Sequence, residues 1–128
     1  MTDADTPSFV VHDHRARAHH YDLRLERDGI IWSWAVPKGI PQSFGVRHLA
    51  VRTDDHPIDY LTFEGKIPQG NYGAGEVTVW DTGTYTPVRW ETGRIEVLFR
   101  GAVLKGHYLL IRFTKAGERD WLIFKTRD

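Results

Sequence analysis

Apolar and polar side chains alternate along most of this chain, and they almost never recur at helical spacing. Short runs rich in Val, Ile, Trp, Tyr and Phe are separated by glycine-containing breaks. The pattern predicts strands over residues 9–11, 19–26, 30–36, 48–52, 76–80, 94–99, 108–113 and 121–125. Arg27-Asp28-Gly29, Asp81-Thr82-Gly83, Leu104-Lys105-Gly106 and Lys115-Ala116-Gly117 are the expected hairpin turns. Short helical turns are expected over residues 13–18 and 41–46. Many short strands at this spacing predict an all-β fold. The form expected is a small closed or nearly closed β-barrel with one or two short helices, whose mouth gathers polar side chains around a ligand. Length gives one domain, residues 9–128, after a polar lead-in, MTDADTPS, expected to be disordered and lacking a signal-peptide pattern.

One strand breaks the ordinary alternation. In HHYDLRLE, residues 19–26, Tyr21, Leu23 and Leu25 form a core-like face. The opposite row is His20, Asp22, Arg24 and Glu26. His20 and Asp22 share that row, so their heads can converge, and His14 can swing in across the preceding loop. Two imidazoles and a carboxylate can hold a divalent transition metal such as manganese, zinc or iron and leave positions open. Arg24 continues the row with a planar donor fork suited to phosphate. On spacing alone, surface histidines with a solvated aspartate, and an arginine paired with Asp22 or Glu26, explain the row equally well. His19 shares the parity of Tyr21 and is not expected to be a ligand.

Two further positions have chemistry at the ends of predicted strands. His56, before Pro57, can act as a general acid or phosphate ligand, although a plain loop histidine fits the same pattern. Lys38, in Val36-Pro37-Lys38-Gly39, is a second anion contact or an ordinary turn lysine. Gly70, Gly73 and Gly75 imitate a nucleotide-binding loop, but the segment after them reads as a strand. Phosphate-cradling glycine loops lead into a helix N-terminus, so that class is excluded. Turn and bulge glycines are expected there, with Tyr72 at a pocket rim. The tryptophans are expected to pack the core and its edges.

Composition narrows this picture. There is no cysteine, which excludes a disulfide framework and a thiolate metal site. No apolar run reaches membrane-spanning length, so no membrane partner is expected. Lys plus Arg equals Asp plus Glu at 17 each, so a strong non-specific hold on nucleic acid is not expected from net charge. Histidine is uneven: His12, His14, His19 and His20 crowd into one short segment. A cytoplasmic monomer is the expectation.

Several elements occur in one order across residues 8–126. They are Phe9-Val10-Val11-His12-x-His14, His20-Tyr21-Asp22-Leu23-Arg24-Leu25-Glu26 and Trp34-Ala35-Val36-Pro37-Lys38-Gly39, then Leu49-Ala50-Val51 and Asp55-His56-Pro57-x-Asp59-Tyr60. Phe63-Glu64-Gly65-x-Ile67-Pro68-x-Gly70-x-Tyr72-Gly73-Ala74-Gly75 and Val79-Trp80-Asp81-x-Gly83 complete the set. Together they resemble the 3′-phosphoesterase module of bacterial DNA ligase D. The resemblance implies a small β-barrel that trims DNA 3′ ends in repair by non-homologous end joining. It would remove a 3′-terminal ribonucleoside and then the exposed 3′-phosphate, using manganese (Mn2+) or another divalent metal. It implies His14, His20 and Asp22 as metal ligands. It implies Arg24, Lys38 and His56 as phosphate contacts and catalytic groups, with Tyr60 near the same pocket. His12 stands where relatives often carry a glutamine that supports the site. His48 stands where many relatives carry an arginine facing the phosphate, and Arg47 is its neighbour. Ligase-fused modules have a longer N-terminal arm that helps ribonucleoside removal, whereas only MTDADTPS precedes Phe9 here. Phosphate removal is therefore the step expected to transfer directly, and any partner ligase is expected to be a separate protein.

Two readings from other classes make different demands. An iron(II) oxygenase would use His20, Asp22 and a remote histidine, for which His107 is the one candidate. A non-catalytic end-binding or partner-docking module would hold a 3′-phosphate end and leave it intact.

Overall fold

Each strand is built on a run of alternating side chains, and the sheet closes because the first and sixth strands pair. The coordinates are a computed structural model describing residues 6–70, 74–113 and 117–127. The strands are β1 (Ser8–Arg15), β2 (His20–Arg27), β3 (Ile30–Val36), β4 (Arg47–His56), β5 (Gly65–Ile67), β6 (Gly75–Glu91), β7 (Arg94–Gly101), β8 (Lys105–Arg112) and β9 (Asp120–Lys125). Their order is β1-β2-β3-β4-β9-β8-β7-β6-β5, and β1 also pairs with β6. Every pair is antiparallel. The result is a closed eight-stranded barrel with β5 added to the outside of the ring along β6. Closure leaves the ring without unpaired edges.

The inner face follows from parity. Phe9 and Val11, Leu23 and Leu25, and Trp34 and Val36 join residues such as Ala50, Tyr85, Val97, Phe99, Leu110 and Ile123 in one buried cluster. Each buried Leu, Val or Phe side chain contributes roughly 1.5–3 kcal/mol relative to exposure. The Asp28-Gly29 turn between β2 and β3 has both residues at positive φ, 53° and 83°, as a two-residue hairpin of that hand requires.

Several expected boundaries change. The segment Asp81-Thr82-Gly83 is not a turn, because β6 runs straight through it. At Gly83 an added Cβ would lie 2.2 Å from the Arg100 carbonyl oxygen, so this glycine permits close strand approach where β1, β6 and β7 meet. The buried Asp81 carboxylate accepts amide hydrogen bonds from Ala102, Val103 and Leu104, at 3.0, 3.2 and 2.7 Å, and so holds the β7–β8 connection. The turn itself comes later, at Thr92-Gly93. Gly106 lies inside β8, with the connection before it.

Neither expected helical turn forms. Residues 13–15 extend β1, and Phe44 makes an isolated bridge to Lys125. Instead a 3₁₀ helix covers Ile58–Thr62, directly after Pro57. Ser8 is already in β1, one residue before the expected start, and residues 1–5 lie outside the described residues. Lys115 and Ala116 also lie outside them. Among the described residues no helix is long and apolar enough to cross a membrane.

Candidate active site on the outer wall of the barrel

Strand register decides which side chains meet. On β1 and β2, Val10 lies opposite Arg24, His12 opposite Asp22 and His14 opposite His20. On β2 and β3, Arg24 lies opposite Ser33 and Asp22 opposite Ala35. Ser33 in turn faces Thr53 of β4. Opposed residues share a face. The whole polar row therefore stands on the outer wall, with Leu23, Leu25 and Trp34 pointing into the core behind it. The site is not in the barrel mouth.

That wall is nevertheless buried. His12 and Ser33 are fully enclosed, and Asp22 and Arg24 are only 4% and 5% exposed. The cover is the segment after β4. Tyr60 lies with its ring centroid 4.8 Å from the Arg24 guanidinium and 4.3 Å from the His56 ring. Phe63 stacks on Tyr60 at 5.1 Å. The Phe63 carbonyl accepts a hydrogen bond from His12 Nε2 at 2.9 Å. Beside this cover lies an open groove of about 1120 Å³, lined by His14, His20, Asp22, Arg24, His56 and Tyr60 among others.

His14, His20 and Asp22 form the metal-competent group. One donor atom from each lies within 4.8 Å of the others. Asp22 divides its carboxylate: Oδ1 is 3.2 Å from His20 Nε2, and Oδ2 is 3.2 Å from His14 Nδ1. Oδ2 also accepts from Arg24 Nη2 at 3.3 Å. Burial pushes the Asp22 carboxyl upward, but His20, Arg24 and His14 outweigh it and hold the pKa below the ordinary value. His20 donates from Nδ1 to the Ala18 carbonyl at 2.9 Å, which turns Nε2 toward the carboxylate. Its pKa is raised, chiefly by the Asp22 hydrogen bond. An ionised carboxylate between two imidazoles, with ring orientation set by an outer hydrogen bond, fits a divalent ion.

Arg24 is held on three sides. Its Nε donates to His12 Nδ1 at 2.9 Å, its Nη1 to Ser33 Oγ at 2.8 Å, and its Nη2 to Asp22. His12 must then carry its proton on Nε2, because Nδ1 accepts from Arg24 and the Phe63 carbonyl can only accept. Burial first, and Arg24 second, lower the His12 pKa to about 4, so it is a neutral link between the arginine and the cover. Arg24 Nη1 also lies 3.5 Å from His56 Nδ1. Burial and then Arg24 lower the His56 pKa below the usual imidazole value.

The groove thus brings together His14, His20, Asp22, Arg24, His56 and Tyr60, with His12 behind them. It does not bring in Lys38 or His48. Lys38 is exposed in the turn after β3 and does not line the groove. His48 has the inward parity of Ala50 and donates from Nδ1 to the Gly39 carbonyl at 2.6 Å, at the barrel end. Arg47 stacks on Phe124 instead. His19 turns away to Asp13, 2.7 Å distant. Tyr72 lies outside the described residues. His107, the remote histidine of the oxygenase reading, stands on β8 beside Glu96 at 3.9 Å and does not join the metal-competent group. Two contributors escape single-residue reasoning. Ser33 is a lone polar residue in an apolar strand, visible as a break in IIWSWAV, but its partner depends on register. Phe63 holds His12 through its backbone carbonyl, a contact that no side-chain pattern announces.

A model of the "DNA Ligase D 3'-phosphoesterase domain" matches residues 12–112. The chain belongs to this family. It is 48% identical over 128 residues to the multifunctional non-homologous end joining protein LigD of Mycobacterium bovis, covering 97% of this chain and 16% of that protein. LigD of Pseudomonas aeruginosa is 45% identical over 126 residues, covering 94% of this chain and 15% of the relative. LigD of Mycolicibacterium smegmatis is 44% identical over 131 residues, with 94% and 17% covered. The chain spans about one sixth of the length of these relatives. A 3′-phosphoesterase domain of ligase D is accordingly the architecture around the buried histidine, carboxylate and arginine row.

Proposed function

We propose that this domain is a divalent-metal-dependent hydrolase that removes 3′-phosphates from DNA ends during end joining, and 3′-terminal ribonucleosides as a second activity. One observation carries the reading. In a chain of this family, a two-histidine, one-aspartate group and an Arg24–His56 pair open onto the same groove. The partners are DNA 3′ ends, the metal is manganese or a similar divalent ion, and the place of action is the cytoplasm.

A divalent ion held by His14, His20 and Asp22 would act as a Lewis acid on a phosphoryl oxygen. The remaining work falls to side chains of this chain. Hydrolysis bonds a water oxygen to phosphorus and breaks the bond from phosphorus to the 3′-oxygen, which takes up a proton. Arg24 is rigid before substrate arrives, so its fork meets charge spreading over the phosphoryl oxygens without reorganising. Burial and Arg24 favour the neutral form of His56 before substrate arrives. An arriving phosphate favours its protonated form, and from that state it hands a proton to the leaving 3′-oxygen. Tyr60 packs against the His56 ring in a tilted contact and holds it.

The test is release of phosphate from a 3′-phosphorylated primer-template, with and without manganese. A 3′-hydroxyl product is expected from the wild-type chain, and none from His20→Ala. His56→Ala should lose turnover and still bind the metal. Full activity of His20→Ala would remove the metal group from the mechanism. A 3′-phosphate bound and left intact would instead favour an end-binding module.

A further inference from the structure

The net charge of zero conceals a sorted surface. Besides Arg24, the groove is lined by Arg15, Arg17 and Lys66, against the acids Asp22 and Glu76. Asp22 is already engaged with Arg24 and the two histidines. The rim thus carries three cations and one acid. Arg15 ends β1 and Arg17 stands in the β1–β2 connection, next to the metal-competent histidines, and Lys66 stands on β5, with Glu76 of β6 opposite both Arg15 and Lys66. Among the described residues no ion pair engages Arg17 or Lys66, and the Arg15 Nε–Asp13 pair is long, at 4.0 Å.

The end of β1 and the connection after it, which present the two arginines, are braced. Gly75, at φ 129°, lets β6 press against them: an added Cβ would fall 2.4 Å from the Arg15 carbonyl oxygen and 2.8 Å from Ala16 Cα. The His19–Asp13 bond spans the connection at 2.7 Å, and His20 ties back to the Ala18 carbonyl at 2.9 Å. Exposed cations on held backbone, flanking a groove that ends at a phosphate-competent arginine, suit a chain of further phosphates.

We propose that Arg15, Arg17 and Lys66 form a backbone clamp for the polynucleotide strand whose 3′ end enters the site. The clamp would make the enzyme select strands over mononucleotides. It rests on the phosphoesterase reading for the position of the strand end, but binding tests it separately. Neutralising several strand phosphates makes binding fall steeply with salt, with a slope of about 0.7 per contact on single strands.

The experiment compares wild type with Arg15→Ala/Arg17→Ala/Lys66→Ala and a charge-matched control, Arg94→Ala/Arg100→Ala/Lys105→Ala, from the exposed ends of β7 and β8. Titration of a fluorescent single-stranded oligonucleotide, at about 50 and 200 mM salt, should show the rim variant losing roughly 2 from the salt slope. The control should keep the wild-type slope. Turnover is read on a 3′-phosphorylated oligonucleotide and on a nucleoside 3′-monophosphate. The ratio of their kcat/KM values should drop at least about tenfold in the rim variant, through KM of the oligonucleotide. Arg15→Lys/Arg17→Lys should recover most of that ratio.

An unchanged salt slope, an equal loss on both substrates, or failure of wild type to bind the oligonucleotide would overturn the clamp. Wild type that binds with the expected slope but releases no phosphate would refute the phosphoesterase reading and leave the clamp standing.

Discussion

Two parts of the barrel's outer wall carry nearly the same chemistry and have very different physical states. On β1 and β2, His14 and His20 flank Asp22 at 3.2 Å, and the carboxylate is almost wholly buried. On β7 and β8, His107 faces Glu96 at 3.9 Å, with their side chains 28% and 19% exposed. Both pairs face outward from antiparallel strands. Among the described residues only the first has a chain segment folded beside it, running from Pro57 through Phe63, and a buried arginine next to it. Cover removes water, strengthens each electrostatic contact and fixes ring tautomers. A histidine facing a carboxylate is thus a surface contact on one wall and a candidate centre on the other.

The comparison is sharpest at the carboxylates. Asp22→Ala should abolish divalent-metal binding, measured by calorimetry, and lower 3′-phosphate release by more than about 10³-fold, since metal-borne charge stabilisation is worth several kcal/mol. Retained metal binding in that variant would place the ion elsewhere.

The next effect concerns the cover and is read in metal-free protein. His12 has a pKa of about 4 when folded against an ordinary 6.5, so unfolding takes up a proton between those limits. Stability is complete above the ordinary value and falls as the pH drops toward the folded one, by about 3 kcal/mol in all. His56, also lowered, acts in the same direction. His20 is raised, so its contribution is complete below its ordinary value and is lost as pH rises through its folded value, a separate window. His12→Gln retains a donor and an acceptor without a titrating group. It should flatten the acid limb in denaturant titrations at stepped pH, and an unchanged limb would show that burial does not control this imidazole.

Arg24→Lys keeps the charge but loses the fork that engages His12, Ser33 and Asp22. A drop of about 10²-fold in kcat is expected from losing rigid transition-state donors. A mere rise in KM would make Arg24 a binding group only. The smallest effect belongs to the open wall. Glu96→Gln should alter stability by less than about 0.5 kcal/mol and leave turnover within experimental scatter. A large loss there would break the comparison, because exposure alone would then not separate the two walls.

Much of this was legible in one dimension. Strand alternation gave the all-β class, the core face of β2 and all of Ile30–Val36. The row His20, Asp22, Arg24 was visible because parity puts alternate residues on one face. The Asp81-Thr82-Gly83 segment misled, since glycine serves both turns and close strand approach, and only the neighbouring β7 backbone distinguishes them. Lys38 and His48 were legible only as residue types: the fold sets Lys38 in the exposed turn after β3 and ties His48 to the Gly39 carbonyl.

The sequence by itself determined which side chains share a face and which family's ordered motifs they compose, because both depend on spacing along one chain. Only the tertiary structure decided that the polar face lies outside the barrel and is nevertheless buried. That outcome needed the β1–β2–β3 register, which aligns His14, Asp22, Arg24 and Ser33 across three strands. It also needed the 3₁₀ segment to cross over them. Burial arises from segments distant in sequence, and burial is what separates this row from an ordinary wet strand face.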